Sequence, residues 1–334
     1  MKRFKWFALF AALILLLAAC GNQDKDQSAE KNGSKDSYTV KHAMGTATID
    51  GTPKKVVVLT NEATEAVLAL GVKPVGAVQS WLGDPWYDHI KDKMKGVENV
   101  GTEAAPNIEK IASLKPDLII GNKIRQEEVY DKLKAIGPTV FAETLSGEWK
   151  NNFKLTAEAL NKKAEGEKVI ADFDKRVEDI HEKLGDKVKQ KVSLVRFTDA
   201  DTRIYHKGSF AGTILDQLGF ARPKGQEAND LGQMEVTKEQ IPDMDGDVLF
   251  YYTYETGDDK ASAIEKDYVN DPLFKNLNVS KKGNVHKVSD AIWNTAGGVL
   301  AANLMLDDIE KYFLKMIKKA KRISAFVWLF LMRP

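Results

Sequence analysis

Two short patterns each occur twice along this chain, in the same order, and that recurrence constrains the fold more than any other feature. Val56-Val57-Val58-Leu59 reads as a buried strand. The helix after it stops at Leu70-Gly71-Val72-Lys73-Pro74, with glycine at the C-cap and proline just beyond. Val192-Ser193-Leu194-Val195 reads as a second such strand, and the next helix stops at Leu218-Gly219-Phe220-Ala221-Arg222-Pro223. The two Leu-Gly stops lie 148 residues apart. The other pattern is Glu109-Lys110-Ile111 ahead of Pro116-Asp117-Leu118-Ile119-Ile120. Its counterpart is Glu239-Gln240-Ile241 ahead of Gly246-Asp247-Val248-Leu249-Phe250, offset by 130 at the Glu, the Ile and the Asp alike. Each copy reads as a short helix, a turn and an apolar strand. Chance likeness of common helix–turn–strand patterns is the plainer explanation, and two markers recurring in one order count against it. The chain is expected to be α/β, with two similar lobes.

Between the lobes, Val169, Ile170, Phe173, Val177, Ile180 and Leu184 fall at helical spacing, and Gly185-Asp186 closes the run. From Lys162 to Leu184 this predicts a rod of roughly 35 Å at about 1.5 Å per residue. Gly166 and the polar step Asn161-Lys162-Lys163 set it apart from a shorter helix over about Glu148 to Leu160. One stiff helix as connector leaves less hinge motion than several flexible strands would. The expected lobes are 38–160 and 187–317, joined by 161–186.

The ends of the chain carry a different message. Lys2, Arg3 and Lys5 precede an unbroken apolar run from Trp6 to Ala19, and Leu17-Ala18-Ala19-Cys20 follows the form of a cleavage site. The run is 14 residues, short of the roughly 20 that span a bilayer. The pattern resembles a bacterial lipobox, which implies removal of 1–19 and lipidation of the Cys20 thiol; an ordinary signal peptide carrying a cysteine is the alternative. Cys20 is the only cysteine, so it has no disulfide partner. A single acyl chain anchors marginally, and the diacylglyceryl group that the lipobox implies supplies two chains. The segment 20–37 is almost wholly polar and reads as a solvated tether. At the far end, 318–334 holds a basic cluster and ten apolar-rich residues, Ile323 to Met332. That is too short to span, and it reads as an appended tail outside the core fold. The expected location is the extracytoplasmic face of the cell membrane, lipid-anchored, in a Gram-positive cell.

Enzyme signatures are missing. There is no H-E-x-x-H, C-x-x-C, G-x-S-x-G, Walker A loop or G-x-G-x-x-G. Gly208-Ser209-Phe210-Ala211-Gly212 has the wrong spacing for a nucleophile elbow. The five histidines include no metal-binding pair; His181 falls on the connecting helix and His286 in a strand. No catalytic role, no resident cofactor and no direct protein–metal ligand are expected. A net charge of +1 gives no bulk attraction to nucleic acid.

Arginines and aromatics stand out instead, at strand ends, where open α/β sheets bind ligands. Arg125 follows Leu118–Ile120, Arg196 ends the strand from Val192, and Arg203 and Tyr205 share one face of the next strand. A guanidinium offers a planar fork to carboxylate oxygens, although each of these arginines would serve equally in an ion pair. Trp81 follows the strand Pro74–Val78, Trp293 follows the strand ending at Val288, and Tyr251, Tyr252 and Tyr254 close the strand from Val248. Each begins a cleft-facing loop, with core packing as the alternative. Trp86 and Tyr87 read as stacking on the loop surface.

These residues resemble the substrate-binding lipoproteins of iron(III)-siderophore ABC importers, in the group with two lobes on one long helix. The resemblance spans about Tyr38 to Ile317. It rests on Asn107-Ile108-Glu109-Lys110-Ile111 with Leu114-Lys115-Pro116-Asp117-Leu118-Ile119-Ile120, on Arg125-Gln126-Glu127, on Arg203-Ile204-Tyr205 through Phe210 and Leu218-Gly219, and on Trp293-Asn294-Thr295-Ala296-Gly297-Gly298. It implies Rossmann-like lobes joined by one long α-helix, with the ligand cleft between them. It also implies a monomer that captures a ferric siderophore and meets a membrane permease through Glu109 and Glu239, one per lobe. The macrodipole favours acids at these first-turn positions in any case. Arg125-Gln126-Glu127 and the Trp293 stretch, Asn294 included, look like the branch handling citrate-based or hydroxamate chelates. The rivals are a haem or cobalamin receptor of the same fold and, more remotely, an extracytoplasmic hydrolase.

Overall fold

Strands that are apolar on both faces must be covered on both faces, and the two repeated patterns build two such sheets. The computed structural model describes residues 36–315. The signal 1–19, Cys20, nearly all of the tether and the tail 318–334 lie outside the described residues.

A hairpin, β1 (Ser37–His42) and β2 (Gly45–Asp50), opens the described chain. The first sheet holds β3 (Val56–Val58), β4 (Gly76–Ala77), β5 (Glu98–Asn99), β6 (Leu118–Asn122) and β7 (Thr139–Ala142), all parallel, in the order β5-β4-β3-β6-β7. The second holds β8 (Val192–Phe197), β9 (Thr202–Tyr205), β10 (Gly232–Gln233), β11 (Val248–Thr253) and β12 (Val285–Lys287), in the order β10-β9-β8-β11-β12. Here β8, β11 and β12 are parallel, and β9 and β10 run antiparallel at one edge. In each sheet the central pair, β3/β6 or β8/β11, is where the order reverses. Chain leaving the carboxyl ends of those strands diverges and leaves a crevice.

Helices run between the strands: α1 (Asn61–Ala69), α2 (Ile108–Leu114), α3 (Lys123–Gln126), α4 (Trp149–Ala159), the connecting helix α5 (Lys163–Leu184), α6 (Phe210–Gln217) and α7 (Val299–Glu310). The α1 and α6 helices end at the two Leu-Gly stops, with Gly71 and Gly219 at φ +74° and +82°. That is the left-handed region which glycine enters without cost. The α5 helix buries Gly166, Ile170, Phe173, Val177, Ile180 and Leu184. Gly166 is required by proximity, since a Cβ there would sit 2.4 Å from Ala157 Cβ on α4.

The last helix crosses back. It packs on α1 of the first lobe, and Ala301 N–H donates to Glu65 Oε2 at 2.9 Å. Gly298 allows this approach, because a Cβ there would meet Glu65 Cβ at 2.6 Å. A single apolar core thus runs behind both sheets, through Trp149, Phe173, Phe210, Trp293 and Met305. No helix among the described residues is long and apolar enough to cross a membrane.

Candidate functional site

The carboxyl ends of the two sheets line one cavity of about 380 Å³. From the first lobe come Glu62 after β3, Trp81 after β4, Glu103 after β5, Arg125 after β6 and Leu145-Ser146 after β7. From the second come Arg196 and Thr198-Asp199-Ala200 at the end of β8, Arg203 and Tyr205 on β9, Tyr254 after β11, and Asn294 after β12. Tyr254 bridges the two walls, its hydroxyl donating to Trp81 O at 3.3 Å.

Arg125 stands at the mouth with 41% of its side chain exposed. Asn122 caps its short helix by accepting from Ile124 N–H at 2.9 Å. Gln126 locks the turn from inside: its Oε1 accepts Asn122 N–H at 2.8 Å, and its amide donates to Leu59 O and Glu103 O at 3.1 and 2.8 Å. The guanidinium lies 5.7 Å from the Trp81 ring centre and 3.4 Å from Glu103 Oε2. Glu103 is otherwise held by Asn61, through its backbone N–H at 2.8 Å and its amide at 2.7 Å. Asn61 engages only Oε1, so Arg125 is the cation that answers Glu103 Oε2.

The second wall is built more rigidly. Arg196 and Arg203 are direct cross-strand partners, an arrangement that like charges destabilise. Two carboxylates offset it. Asp290 takes Arg196 Nε at 2.6 Å and Nη2 at 3.3 Å, and Asp201 takes Arg203 Nε at 2.8 and 3.0 Å. Burial works against the Arg196 charge, but Asp290, helped by Tyr205, more than offsets it and moves the pKa up. Tyr205 OH lies 3.4 Å from Arg196 Nη1, and the Tyr254 ring centre lies 5.0 Å from the guanidinium carbon.

The structure therefore brings Arg125, Arg196, Arg203, Tyr205, Trp81, Tyr254 and Asn294 to one cavity. It corrects two of the expected contacts. Trp293 is fully buried: it donates from Nε1 to Asp308 at 3.0 Å and packs on Phe250 with ring centres 4.6 Å apart. Tyr252 is fully buried too, stacked behind Tyr205 at 6.0 Å. Trp293 fills the space between the sheet and α7, and Tyr252 lies behind the Tyr205 ring, so neither lines the cavity. Trp86 and Tyr87 are also buried, at 8% and 1% exposure, rather than stacked on the loop surface. Glu109 and Glu239 are exposed and away from the cavity lining.

Sequence reading passed over Glu62, Glu103 and Asp199. The available signal was position: each follows the carboxyl end of a strand. Burial pushes the Glu62 carboxyl up to about 8, and Glu103 and Glu65 add to the rise, while the Asn152 amide and the Ser146 backbone N–H pull the other way.

Two open α/β lobes on one helix, with a cavity lined from both, have the form of a substrate-binding protein. The chain belongs to the periplasmic binding protein family, whose model matches residues 56–291. It is 54% identical over 324 residues to the probable siderophore-binding lipoprotein YfiY of Bacillus subtilis, covering 94% of this chain and 99% of that protein. It is 30% identical over 267 residues to the achromobactin-binding periplasmic protein of Dickeya dadantii, covering 78% of this chain and 86% of that one. Among solved structures, Staphylococcus aureus SirA complexed with staphyloferrin B superposes with a TM-score of 0.76 at 38% identity, covering 82% of this chain and 98% of that chain.

Proposed function

We propose that this protein captures a ferric siderophore outside the cell and delivers it to the permease of an ABC importer. The observation that carries the reading is the cavity itself: three arginines and three aromatic side chains converge on it from both lobes. The 54% identity to a siderophore-binding lipoprotein supports the ligand class. The chelator's own oxygens saturate the iron, so the protein reads the shell: Arg125 and Arg203 address anionic oxygens, and Trp81 and Tyr254 cover apolar faces. We assign the ligand to hydroxamate or citrate-hydroxamate chelates. The protein acts as a monomer, with 38–160 and 187–317 as its working lobes.

Quenching of tryptophan fluorescence by a panel of ferric hydroxamates, citrates and catecholates, with haem and cobalamin alongside, tests this. Saturable quenching by a hydroxamate or citrate-type chelate is expected. Tight haem binding with no response to any ferric chelate overturns it. Within the site, Arg125→Ala is expected to weaken an anionic chelate by about 1.5–3 kcal/mol, the scale of a charge-assisted hydrogen bond. Unchanged affinity with the fold intact removes Arg125 from the site.

We further assign Cys20 as the lipid anchor. Cys20→Ser is expected to release the protein into the medium with ligand affinity unchanged, because the cavity lies wholly within the described fold. A variant still in the membrane fraction assigns the anchor to another segment.

A further inference from the structure

Three carboxyls stand at the edge of the first sheet, and two of them are answered. Glu65 pairs with His89 at 2.5 Å and accepts the Ala301 N–H. Glu103 accepts from Asn61 and faces Arg125. Glu62 is in ion-pair contact with no cation among the described residues. Its Oε1 accepts the Asn152 amide at 2.6 Å, and its Oε2 has no hydrogen-bond partner. The side chain is only 8% exposed, and it lines the cavity. A charged carboxylate so placed would be buried with neutral donors and no cation to offset it, and such a group takes up a proton instead.

We propose that Glu62 is a proton-bearing contact of the ligand site, a neutral carboxyl that donates a hydrogen bond from Oε2 to an oxygen of the bound chelate. This rests on the chelate-binding reading given above. The arginines supply fixed charge at the mouth and on the far wall. Glu62 supplies an uncharged donor on the first-lobe wall, whose arginine, Arg125, stands at the mouth. Because Oε1 is already engaged as an acceptor, the proton resides on Oε2. The ionised form would instead set a negative charge against the anionic shell.

A pH dependence follows. The titratable groups around Glu62 are Glu65 with its partner His89, and Glu103 with its partner Arg125; Arg196, Arg203 and Asp199 stand on the far wall. The elements packed directly behind Glu62 bring Trp149, Asn152, Phe153, Thr156 and Val299, none of which titrates. The folded carboxyl keeps its proton to about pH 8. Donor strength is therefore present below that pH and lost above it.

The test compares wild type with Glu62→Gln, using ferric staphyloferrin B and ferric citrate, from pH 6 to 9.5. Glutamine offers the same kind of donor and has no proton to lose. Changes in the chelates themselves are common to both proteins and cancel in the ratio of affinities. That ratio is expected to stay within about threefold up to neutral pH, then to move toward Glu62→Gln by up to about tenfold per pH unit, the limit for one linked proton. A ratio flat across the range overturns the proposal. No binding of either chelate, or of any other chelate in the panel, to the wild type at any pH overturns the reading beneath it.

A ligand-free measurement keeps the two failures apart. A carboxyl whose pKa is raised by folding loses stability relative to the unfolded chain as pH climbs from its ordinary value to its folded one. The Tm advantage of Glu62→Gln is therefore expected to grow between pH 5 and 8 and to level off above. A constant difference means an ionised carboxyl in the folded protein, and overturns the proposal whatever binds.

Discussion

Asp290→Ala is expected to cost about 3–5 kcal/mol of stability and to abolish ligand binding with it. The reason is asymmetry. Arg196 and Asp290 are 8% and 1% exposed, and their contact takes two guanidinium nitrogens. Without Asp290 the guanidinium stays buried, with Tyr205 OH at 3.4 Å as its nearest remaining partner. Arg203 stands directly across the strand pair, where Asp201 is then the one carboxylate among the described residues pairing with either arginine. The cost should appear as a lower urea midpoint at unchanged slope. Replacing the pair together, by Arg196→Met with Asp290→Leu, should recover most of the stability, since a buried ion pair is seldom better than a packed apolar one. It should not recover chelate affinity, because Arg196 lines the cavity. A loss below about 1 kcal/mol in Asp290→Ala would mean that water reaches the guanidinium and that the pair belongs to the surface class.

Why some of the site was legible and some was not comes down to what the rest of the fold lays over each strand end. The repeated patterns located the carboxyl ends of the strands, because apolar runs and Leu-Gly stops depend on local chain chemistry. Which residue at a strand end meets the cleft depends on register, which is not local. On β11, Tyr252 lies beside Arg196 in register and shares its face but is covered by the Tyr205 ring, while Tyr254, two residues on, has left the strand and lines the cavity. Trp293 and Asn294 show the same failure on a helix. They sit in a π-helical turn, Ala291–Thr295, whose wider winding changes which side chain faces the cavity. Glu62 escaped for another reason. An acid in the first turn of a helix has an ordinary role there, and only the tertiary packing of Asn152 and α7 removes the water that would keep it charged.

The docking proposal yields the other large effect. The double change of Glu109 and Glu239 to Ala is expected to abolish ferric siderophore uptake and leave ligand affinity within about twofold, since neither residue lines the cavity. Neither acid is needed to cap its helix. Asn107 accepts Lys110 N–H at 2.9 Å ahead of α2, and Thr237 forms a capping box with Gln240 ahead of the turn Lys238–Met244. What each contributes to its own lobe is a first-turn charge, worth about 0.3–1 kcal/mol at an exposed site, so the double variant should fold. Across an interface the balance changes. A carboxylate that becomes buried against a permease cation costs about 2–5 kcal/mol when truncated, mostly through faster dissociation, and two contacts on separate lobes also fix orientation. Each single variant should therefore keep partial uptake, and the double variant none. The measurement is radioactive iron uptake in cells displaying equal amounts of each protein. Full uptake by the double variant would leave both acids as helix-terminal charges only. Lost ligand affinity would put them on the cleft side of their lobes after all.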